Sequence, residues 1–306
     1  MDYSDFFNEV LDAVKERMRD SVRVYSRSVL KNNGVRLWGI MFEEAGNAAS
    51  PTIYAEQYYE MYNSGSSIDE IADMICDTYE RSKIRGEIDL GFLDNYSAVK
   101  DKLLCKIISY DFNEELLTEV PYRRFLDLAI VPYLSLDDTA FGDASVLVRR
   151  NLLNIWDINE EELIDDAMSN TYNGVDSELI PIGCLIDSIM RNNSIGTENS
   201  SECLCESIDE EKCPMYVLTN PKRIFGAIFM ASSDVLSRCS SKLGGDFYLL
   251  PSSVHEVILL PAEDSTSYEY LSQMVREIND KELNRSEVLS DHAYIYRSGY
   301  GLQCTL

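Results

Sequence analysis

The first third of the chain combines one helical and one extended spacing of hydrophobic residues. An amphipathic helix is predicted where apolar residues recur every three to four positions, at Phe7, Val10, Leu11, Val14 and Met18. Segment 22–30 alternates apolar and polar residues instead, which predicts a strand, and 35–42 is its predicted return strand. Asn33-Gly34 lies between them and favours a hairpin turn, because both residues tolerate positive φ.

A second helix is predicted just after these strands. Ser67 and Glu70 have the spacing of a capping box, and an apolar stripe from Ile68 to Tyr79 follows. Residues 51–59 fit either the end of a strand or the start of a helix. The four-residue spacing of Val99, Leu103 and Ile107 predicts a further helix.

The middle of the chain repeats this order of elements. Segments 125–136 and 144–156 are rich in β-forming residues and predict a second pair of strands. Asn159 and Glu162 then have capping-box spacing, so a helix is predicted from there to about Tyr172. Residues 193–212 are polar and acidic, which predicts a mobile loop.

The last third of the chain predicts short strands separated by single helices. Strands are expected at 215–219, 225–230, 247–250, 254–260 and 292–296. Ser232 and Thr266 are the predicted N-caps of two helices. Strand pairs interleaved with single helices indicate an α+β fold with mainly antiparallel sheets. We expect two strand–helix units, an N-terminal unit at 1–111 and a C-terminal unit at 112–306 that contains the acidic loop.

Charge and cysteine usage narrow the class of protein. A formal net charge of -26 repels phosphate backbones and anionic lipid, so neither a nucleic acid nor a membrane is expected as a partner. The acidic surface either only solubilises the chain or attracts a protein partner with a basic surface. The acidic N-terminal helix differs from a signal peptide, so we expect a cytoplasmic protein whose eight cysteines form no disulfides. The sequence indicates no oligomeric state.

Familiar cofactor motifs are absent from the sequence. Neither G-x-G-x-x-G after a strand nor G-x-x-x-x-G-K occurs, and G-x-S-x-G is missing as well. Two histidines exclude a histidine-rich metal site unless carboxylates or thiolates supply the other ligands. The thiols of Cys203, Cys205 and Cys213 lie among acidic residues and lack zinc-site spacing. The sequence therefore predicts no cofactor and no metal.

One short segment brings together residue types that nucleophilic catalysis uses. Ser252, Ser253, His255 and Glu256 supply two hydroxyls, an imidazole and a carboxylate within five residues. On a strand, Ser253 would share a face with His255, whereas Glu256 would point the other way. The alternative is structural, with His255 half-buried and Pro251 shaping a bend. These four residues are the candidate catalytic residues.

Several blocks of sequence resemble a known family across nearly the whole chain, from about 12 to about 297. The blocks are Lys31–Val35, Ser50–Tyr54, Phe125–Val131, Pro214–Asn220, Leu250–Val257 and Glu287–His292. In this order they resemble a family of full-length uncharacterised bacterial proteins, common in Firmicutes and described only as a domain of unknown function. The resemblance implies a bacterial cytosolic protein and brings no activity with it. Both histidines lie inside these blocks.

Three functions remain open from the sequence. The absence of a complete catalytic motif favours a non-enzymatic interaction or regulatory module. A hydrolase-like enzyme that uses a Ser/His pair at the Ser252–Glu256 bend is the alternative. Binding of a small ligand between the two units is the third possibility.

Overall fold

The computed structural model describes residues 1–18, 22–44, 51–82, 91–136, 145–185, 215–262 and 267–304. Main-chain packing divides the chain into two compact units. The first contains Met1–Val99 with Ser135–Ser145, and the second contains Lys100–Leu134 with Val146–Leu306. Among the described residues all strands pair antiparallel, in three sheets, and the α+β prediction is confirmed. The predicted acidic loop at 193–212 lies outside the described residues.

The first unit combines four described helices with a small sheet. Its described helices are α1 (Tyr3–Met18), α2 (Glu56–Asn63), α3 (Ile68–Ser82) and α4 (Tyr96–Val99), and its strands are β1 (Arg23–Leu30), β2 (Arg36–Glu43) and β3 (Thr52–Tyr54). The strands lie in the order β1-β2-β3. The predicted hairpin is confirmed, since Asn33 and Gly34 have φ of 58° and 68° between β1 and β2. The capping box of α3 is confirmed too, because Ser67 and Glu70 each accept the other's main-chain N–H.

The core of this unit is built from the residues that the periodicity predicted. Phe7, Val10, Leu11, Val14 and Met18 of α1 are all buried, as are Ile71, Ile75 and Tyr79 of α3. They form one cluster with Val24, Ile40 and Phe42 of the sheet. The buried members that the described residues contribute to this cluster lie between Phe6 and Tyr79, so the first 82 residues supply a hydrophobic core of their own.

The second unit begins with a four-stranded sheet and its helices. The elements are β4 (Leu103–Ser109), α5 (Glu114–Glu119), β5 (Arg123–Phe125), β6 (Leu128–Ser135), β7 (Ser145–Leu147), α6 (Arg150–Trp156) and α7 (Glu160–Gly174). Strand β6 lies between β4 and β5 and also pairs with β7. The predicted N-cap of α7 is confirmed, since the Asn159 side chain accepts the N–H of Glu162 at 2.8 Å.

A six-stranded antiparallel sheet forms the rest of the second unit. Its elements are β8 (Glu178–Pro181), β9 (Tyr216–Thr219), α8 (Ser233–Leu243), β10 (Phe247–Leu250), β11 (Val257–Pro261), α9 (Tyr268–Glu282), β12 (Tyr294–Arg297) and β13 (Gly301–Cys304). The strand order is β13-β12-β10-β11-β9-β8. Ser232 caps α8 as predicted, and Ser267 caps α9, whereas the predicted cap Thr266 lies outside the described residues.

The two faces of the six-stranded sheet have different neighbours. Tyr248, Leu250 and Ile295 share a face because side chains alternate along a strand, and they pack with Leu271 and Val275 of α9. The opposite face therefore carries the alternate residues, which include Phe247, Leu249, Tyr294, Tyr296 and Cys304. The candidate site described below lies on this second face.

Three predicted elements were wrong. Residues 103–109 form strand β4 and not a helix, and 225–230 lie largely in a buried 3₁₀ turn, Gly226–Ala231. In segment 144–156 only Ser145–Leu147 is a strand, and Arg150–Trp156 is helical. The strand expected at 254–260 begins at Val257, because the Ser253 N–H bonds to the Glu256 carbonyl and closes a turn.

Two findings concern the expectations about membranes and disulfide bonds. Among the described residues, no helix combines the length and the apolar character that crossing a bilayer requires. Cys184 is disulfide-bonded, so the expectation that no cysteine forms a disulfide was wrong.

Candidate functional site

Three segments of the second unit bring a carboxylate, an imidazole and a thiol to one point. The Nε2 atom of His292 lies 3.4 Å from Oδ2 of Asp127 and 3.1 Å from Sγ of Cys304. One ligand-type atom from each residue lies within 4.8 Å of the others. The side chains of His292 and Asp127 are only 11% and 19% exposed, so the cluster is largely withdrawn from water.

Asp127 is held by the tight turn between β5 and β6. Leu126 occupies the left-handed region, with φ of 54°, which turns the chain so that Phe125 pairs with Leu128. The Asp127 carbonyl accepts the N–H of Tyr110 at 3.1 Å, and the Leu126 carbonyl accepts Nε of Arg124 at 3.0 Å. The main chain of the turn is therefore fixed, and the Asp127 carboxylate is left to the cluster.

His292 is held by polar side chains along one face of α9. Asn279 donates to the carbonyl of Ser290 at 2.9 Å, and the hydroxyl of Tyr268 donates to the carbonyl of Ala293 at 2.7 Å. The Oγ of Ser272 accepts the N–H of Ala293 at 3.1 Å. These bonds attach segment 290–293 to α9 on both sides of His292, so the imidazole is placed by main-chain anchoring.

Cys304 reaches the cluster through strand pairing. It is paired with Tyr294 across the β12–β13 ladder, and directly paired residues project on the same face. The Tyr294 hydroxyl lies 3.0 Å from both oxygens of Asp127. The same face of the sheet thus presents the thiol to His292 and the phenol to Asp127.

A chain of polar contacts joins Asp127, Tyr294 and Ser290 to Nδ1 of His292. The Tyr294 hydroxyl donates to the side-chain oxygens of Asp127. Ser290 hydrogen-bonds to Tyr294 and therefore donates to the phenol oxygen. The Ser290 Oγ lies 3.1 Å from Nδ1 of His292 and can accept an Nδ1–H. In the tautomer with the proton on Nδ1, the lone pair of Nε2 is directed toward Asp127 and Cys304.

Burial keeps both ring side chains of this network neutral. Desolvation lowers the pKa of His292, although the charges of Asp127 and Asp291 oppose that shift. Desolvation, reinforced by the Asp127 charge, raises the pKa of Tyr294 far above its usual range. At neutral pH the imidazole is therefore uncharged and the phenol remains an O–H donor.

The geometry of Asp127, His292 and Cys304 distinguishes a metal-binding site from a nucleophilic catalytic triad. In a nucleophilic triad the nucleophile and the acid contact opposite nitrogens of the imidazole, so that a proton passes between them. Here Asp127 and Cys304 approach the same nitrogen, and Ser290 contacts the other one. Three electron-pair donors that converge on one point match the requirement of a metal ligand set.

The four sequence-predicted candidates lie elsewhere in the second unit, at the turn before β11. The Ser253 Oγ accepts the main-chain N–H of His255 at 3.0 Å, which ties that hydroxyl to the backbone and not to the imidazole. The Ser253 N–H in turn bonds to the carbonyl of Glu256 at 3.1 Å. Ser252 is half-buried beside them. The turn brings the four residues together, and their catalytic role stays a prediction.

His255 is placed by contacts with the loop before the 3₁₀ turn. Its Nδ1 accepts the N–H of Phe225 at 3.2 Å, and its ring stacks on the Phe225 ring with a centroid distance of 5.3 Å. Burial lowers the pKa of His255, against the opposing charges of Glu287 and Glu256. The imidazole is therefore neutral and acts as an acceptor within the packing of this region.

The sequence contained part of the signal for the Asp127 cluster. Asp127 and His292 both lie in blocks that carry the family resemblance, and the two-histidine argument already required carboxylate or thiolate co-ligands. Cys304 was missed because 12 residues separate it from His292 and no short motif joins them. Only the pairing of β12 with β13 brings the thiol and the imidazole together.

The fold and the site define an α+β protein with a partly buried carboxylate–imidazole–thiol cluster. The chain belongs to the family of unknown function DUF5688, whose family model matches residues 3–298. This match confirms the family that the sequence blocks indicated. No curated protein and no solved structure matches the chain.

Proposed function

We propose that this protein is a zinc-dependent enzyme of the hydrolytic type, with Asp127, His292 and Cys304 as the metal ligands. The observation that carries the proposal is the convergence of three ligand atoms from three separate segments, all within 4.8 Å of one another. The main chain around Asp127 and His292 is fixed by hydrogen bonds, which preorganises the ligands and so lowers the cost of binding an ion.

The separations between the ligand atoms support zinc. Zinc binds imidazole nitrogen at about 2.0 Å and thiolate at about 2.3 Å, so tetrahedral ligands lie about 3.3–3.5 Å apart. The distances from Nε2 are 3.4 Å to Asp127 and 3.1 Å to Cys304. These two pairs have tetrahedral spacing, whereas the 4.8 Å spread of the three atoms requires the Asp127 and Cys304 side chains to move about 1 Å closer together to share one ion.

The surroundings of the ligands support the same conclusion. A metal-binding histidine usually donates its second ring N–H to a nearby acceptor, and ligating carboxylates are themselves hydrogen-bonded. Ser290 takes the first role, at 3.1 Å from Nδ1. Tyr294 takes the second role, at 3.0 Å from Asp127. Both side chains are buried, which keeps their orientation fixed.

Among the described residues three ligand groups converge, and three protein ligands are typical of a catalytic site and not of a purely structural one. Structural zinc sites are closed by four protein ligands, whereas catalytic sites have three and leave one position to water or substrate. Zinc lowers the pKa of such a water to about 7, which supplies hydroxide for attack on a carbonyl at neutral pH. The neutral Tyr294 hydroxyl holds Asp127 and supplies no nucleophile itself.

The functions predicted from the sequence keep their status as predictions. An interaction or regulatory module with a basic protein partner rests on the net charge of -26. The hydrolase-like alternative agrees with the present proposal in reaction type but uses Ser252, Ser253, His255 and Glu256. The metal proposal differs from the sequence prediction that no metal is bound.

Calorimetric titration of the chelator-treated, reduced full-length chain with Zn²⁺ tests this proposal. We expect one ion per chain, and a rise in melting temperature because the ion binds the native state. Cys304→Ser, His292→Asn and Asp127→Asn should each weaken binding by more than the roughly 10- to 100-fold that loss of a supporting residue costs. Tyr294→Phe, which removes only a supporting hydroxyl, should fall within that smaller range.

Matched controls come from the same residue types elsewhere in the chain. Cys239→Ser removes a buried thiol, and His255→Asn removes the other histidine, without touching the cluster. Both controls should bind Zn²⁺ as the unchanged protein does. Circular dichroism establishes that each variant is folded. Zinc binding that survives in folded Cys304→Ser and His292→Asn would overturn the proposal.

A further inference from the structure

A cleft of about 460 Å³ lies in the second unit beside the cluster. One wall is formed by Phe125, Tyr296 and Leu302, and the other by the 3₁₀ turn and the start of α8, including Met230, Asp234 and Ser237. Its volume falls in the range of small-molecule sites, roughly 300–1,000 Å³. Its lining residues are neither proposed metal ligands nor their hydrogen-bond partners.

The cleft and the cluster are neighbours along two paired strands. Tyr296 and Leu302 lie two residues from Tyr294 and Cys304, and residues two apart on a strand share a face and are separated by about 7 Å. Phe125 ends β5 two residues before Asp127, which lies in the turn that follows. Tyr296 pairs with Leu302 just as Tyr294 pairs with Cys304, so one pair faces the cleft and the next faces the cluster.

The charged side chains that line the cleft restrict the charge of the ligand that it can bind. Among the residues that the structure describes, Asp234 is the only charged one that lines the cleft, and neither lysine nor arginine does so. Asp234 lies in the first turn of α8, where its carboxylate already offsets the positive end of the helix. An anionic ligand would therefore be repelled, whereas an uncharged or cationic one is compatible with this wall.

The apolar walls restrict the ligand further. Tyr296 stacks on Phe247, with ring centroids 4.8 Å apart, which fixes its ring as a flat wall. Phe125, Met230 and Leu302 add further apolar surface. A planar or aromatic body would bury its faces against these side chains and gain the hydrophobic free energy of that contact.

We infer that this cleft is the substrate chamber of the proposed zinc site, and that it takes an uncharged or cationic small molecule with an aromatic or apolar body. The inference rests on the proposed function, because the ion supplies the reactive end of the chamber. With an ion bound at the cluster, the body of the substrate would lie between Tyr296 and Met230, and its carbonyl would be directed toward the cluster. Asp234 favours a positive group at the other end.

Hydroxamates, which chelate zinc, serve as probes of defined shape and charge. Binding of acetohydroxamate, benzohydroxamate and benzohydroxamates with a para-aminomethyl or para-carboxyl group is measured by calorimetry on the zinc-loaded full-length chain. We expect benzohydroxamate to bind about tenfold or more tightly than acetohydroxamate, which corresponds to about 1.4 kcal/mol. The aminomethyl probe should bind more tightly than the carboxyl probe, and Asp234→Asn should reduce that difference severalfold.

A filled cleft gives a second measurement with a matched control. Ser237→Trp places a large side chain in the cleft, whereas Ser241→Trp places it one turn further along α8, outside the cleft lining. Both residues are exposed, so both variants are expected to fold. Ser237→Trp should retain zinc affinity and lose the tenfold preference for benzohydroxamate, and Ser241→Trp should retain both.

The outcomes separate the two proposals. Failure to bind Zn²⁺ in the unchanged chain overturns the proposed function. If zinc binds normally but acetohydroxamate and benzohydroxamate bind with equal affinity, and Ser237→Trp leaves both affinities unchanged, the cleft is not the substrate chamber. The metal site is unaffected by that result. Zinc binding without any hydroxamate binding also overturns the chamber, because the ion then has no accessible open position.

Discussion

At the scale of single residues, Gly226 shows how closely the main chain packs around His255. A Cβ atom at this position would lie 2.6 Å from Oγ1 of Thr219 and 2.8 Å from both the Asn220 nitrogen and the His255 oxygen. The last two are main-chain atoms, which cannot rotate away as the end of a side chain can. The sequence gives no sign of this contact, because it depends on loops from three separate segments.

We expect Gly226→Ala to destabilise the chain by about 1–3 kcal/mol or more, the usual cost of overpacking a rigid site. Urea denaturation monitored by circular dichroism measures the free energy of unfolding. Gly174→Ala is the control, since nothing lies within 4 Å of a Cβ at the end of α7. It should be neutral or stabilising by up to about 1 kcal/mol through helix propensity. Equal effects of the two substitutions would contradict the packing argument.

The two histidines show what residue types alone can and cannot predict. Sequence adjacency drew attention to His255, whose serine neighbour is bonded to the histidine main chain and not to the ring. His292 has its partners 165 and 12 positions away, at Asp127 and Cys304. Chemistry between distant residues leaves no local spacing to detect, so the cluster could not be assembled from the sequence.

At the scale of elements, local signals predicted the ends of helices well. The side chains of Ser67, Asn159 and Ser232 accept main-chain N–H groups at the starts of α3, α7 and α8. These bonds are local, since donor and acceptor are three residues apart, and so the sequence contains both partners. The cap of α9 was displaced by one residue, to Ser267.

Removal of one such cap has a measurable cost. Asn159→Ala takes away the acceptor for the Glu162 N–H, so we expect about 1 kcal/mol of destabilisation in thermal or urea unfolding. Asn173→Ala, near the other end of α7 and exposed, should change stability by less than about 0.5 kcal/mol. If the Asn159 variant were as stable as the unchanged protein, the cap would contribute nothing.

The wrong elements have a common physical cause. A spacing of four residues, as in Leu103 and Ile107, fits both a helical and an alternating pattern, and Cys105 between them is buried as a strand requires. The run from Phe225 to Met230 is continuously apolar, and such a run does not distinguish a strand from a buried helical turn. Tertiary burial decided both cases.

At the scale of the whole molecule, the two compact units differ in how local their cores are. The cluster of the first unit is drawn from Phe6 to Tyr79 alone. In the second unit, β4 and β6 pair across an intervening helix and strand, and β12 joins β10 across α9. The domain prediction of 1–111 and 112–306 followed the repeated order of elements, whereas main-chain packing places the first division at Val99.

The local core of the first unit predicts an independently folding fragment. We expect residues 1–99 to show helical circular dichroism and a cooperative thermal transition, because the buried members of the cluster among the described residues are present in it. A fragment of residues 1–66 is the control, since it lacks α3 with Ile71, Ile75 and Tyr79. It should unfold without cooperativity, and a disordered 1–99 fragment would show that the core is insufficient.

The sequence by itself determined the α+β class, the family, the helix of residues 3–18, the Asn33-Gly34 hairpin and most helix caps. Each of these depends on residues within a few positions of one another or on composition, so the information is local. The tertiary structure alone decided the strand at 103–109, the turn at 226–231 and the cluster of Asp127, His292 and Cys304. These features depend on which surfaces are buried against each other, and strand pairing sets that across distant segments.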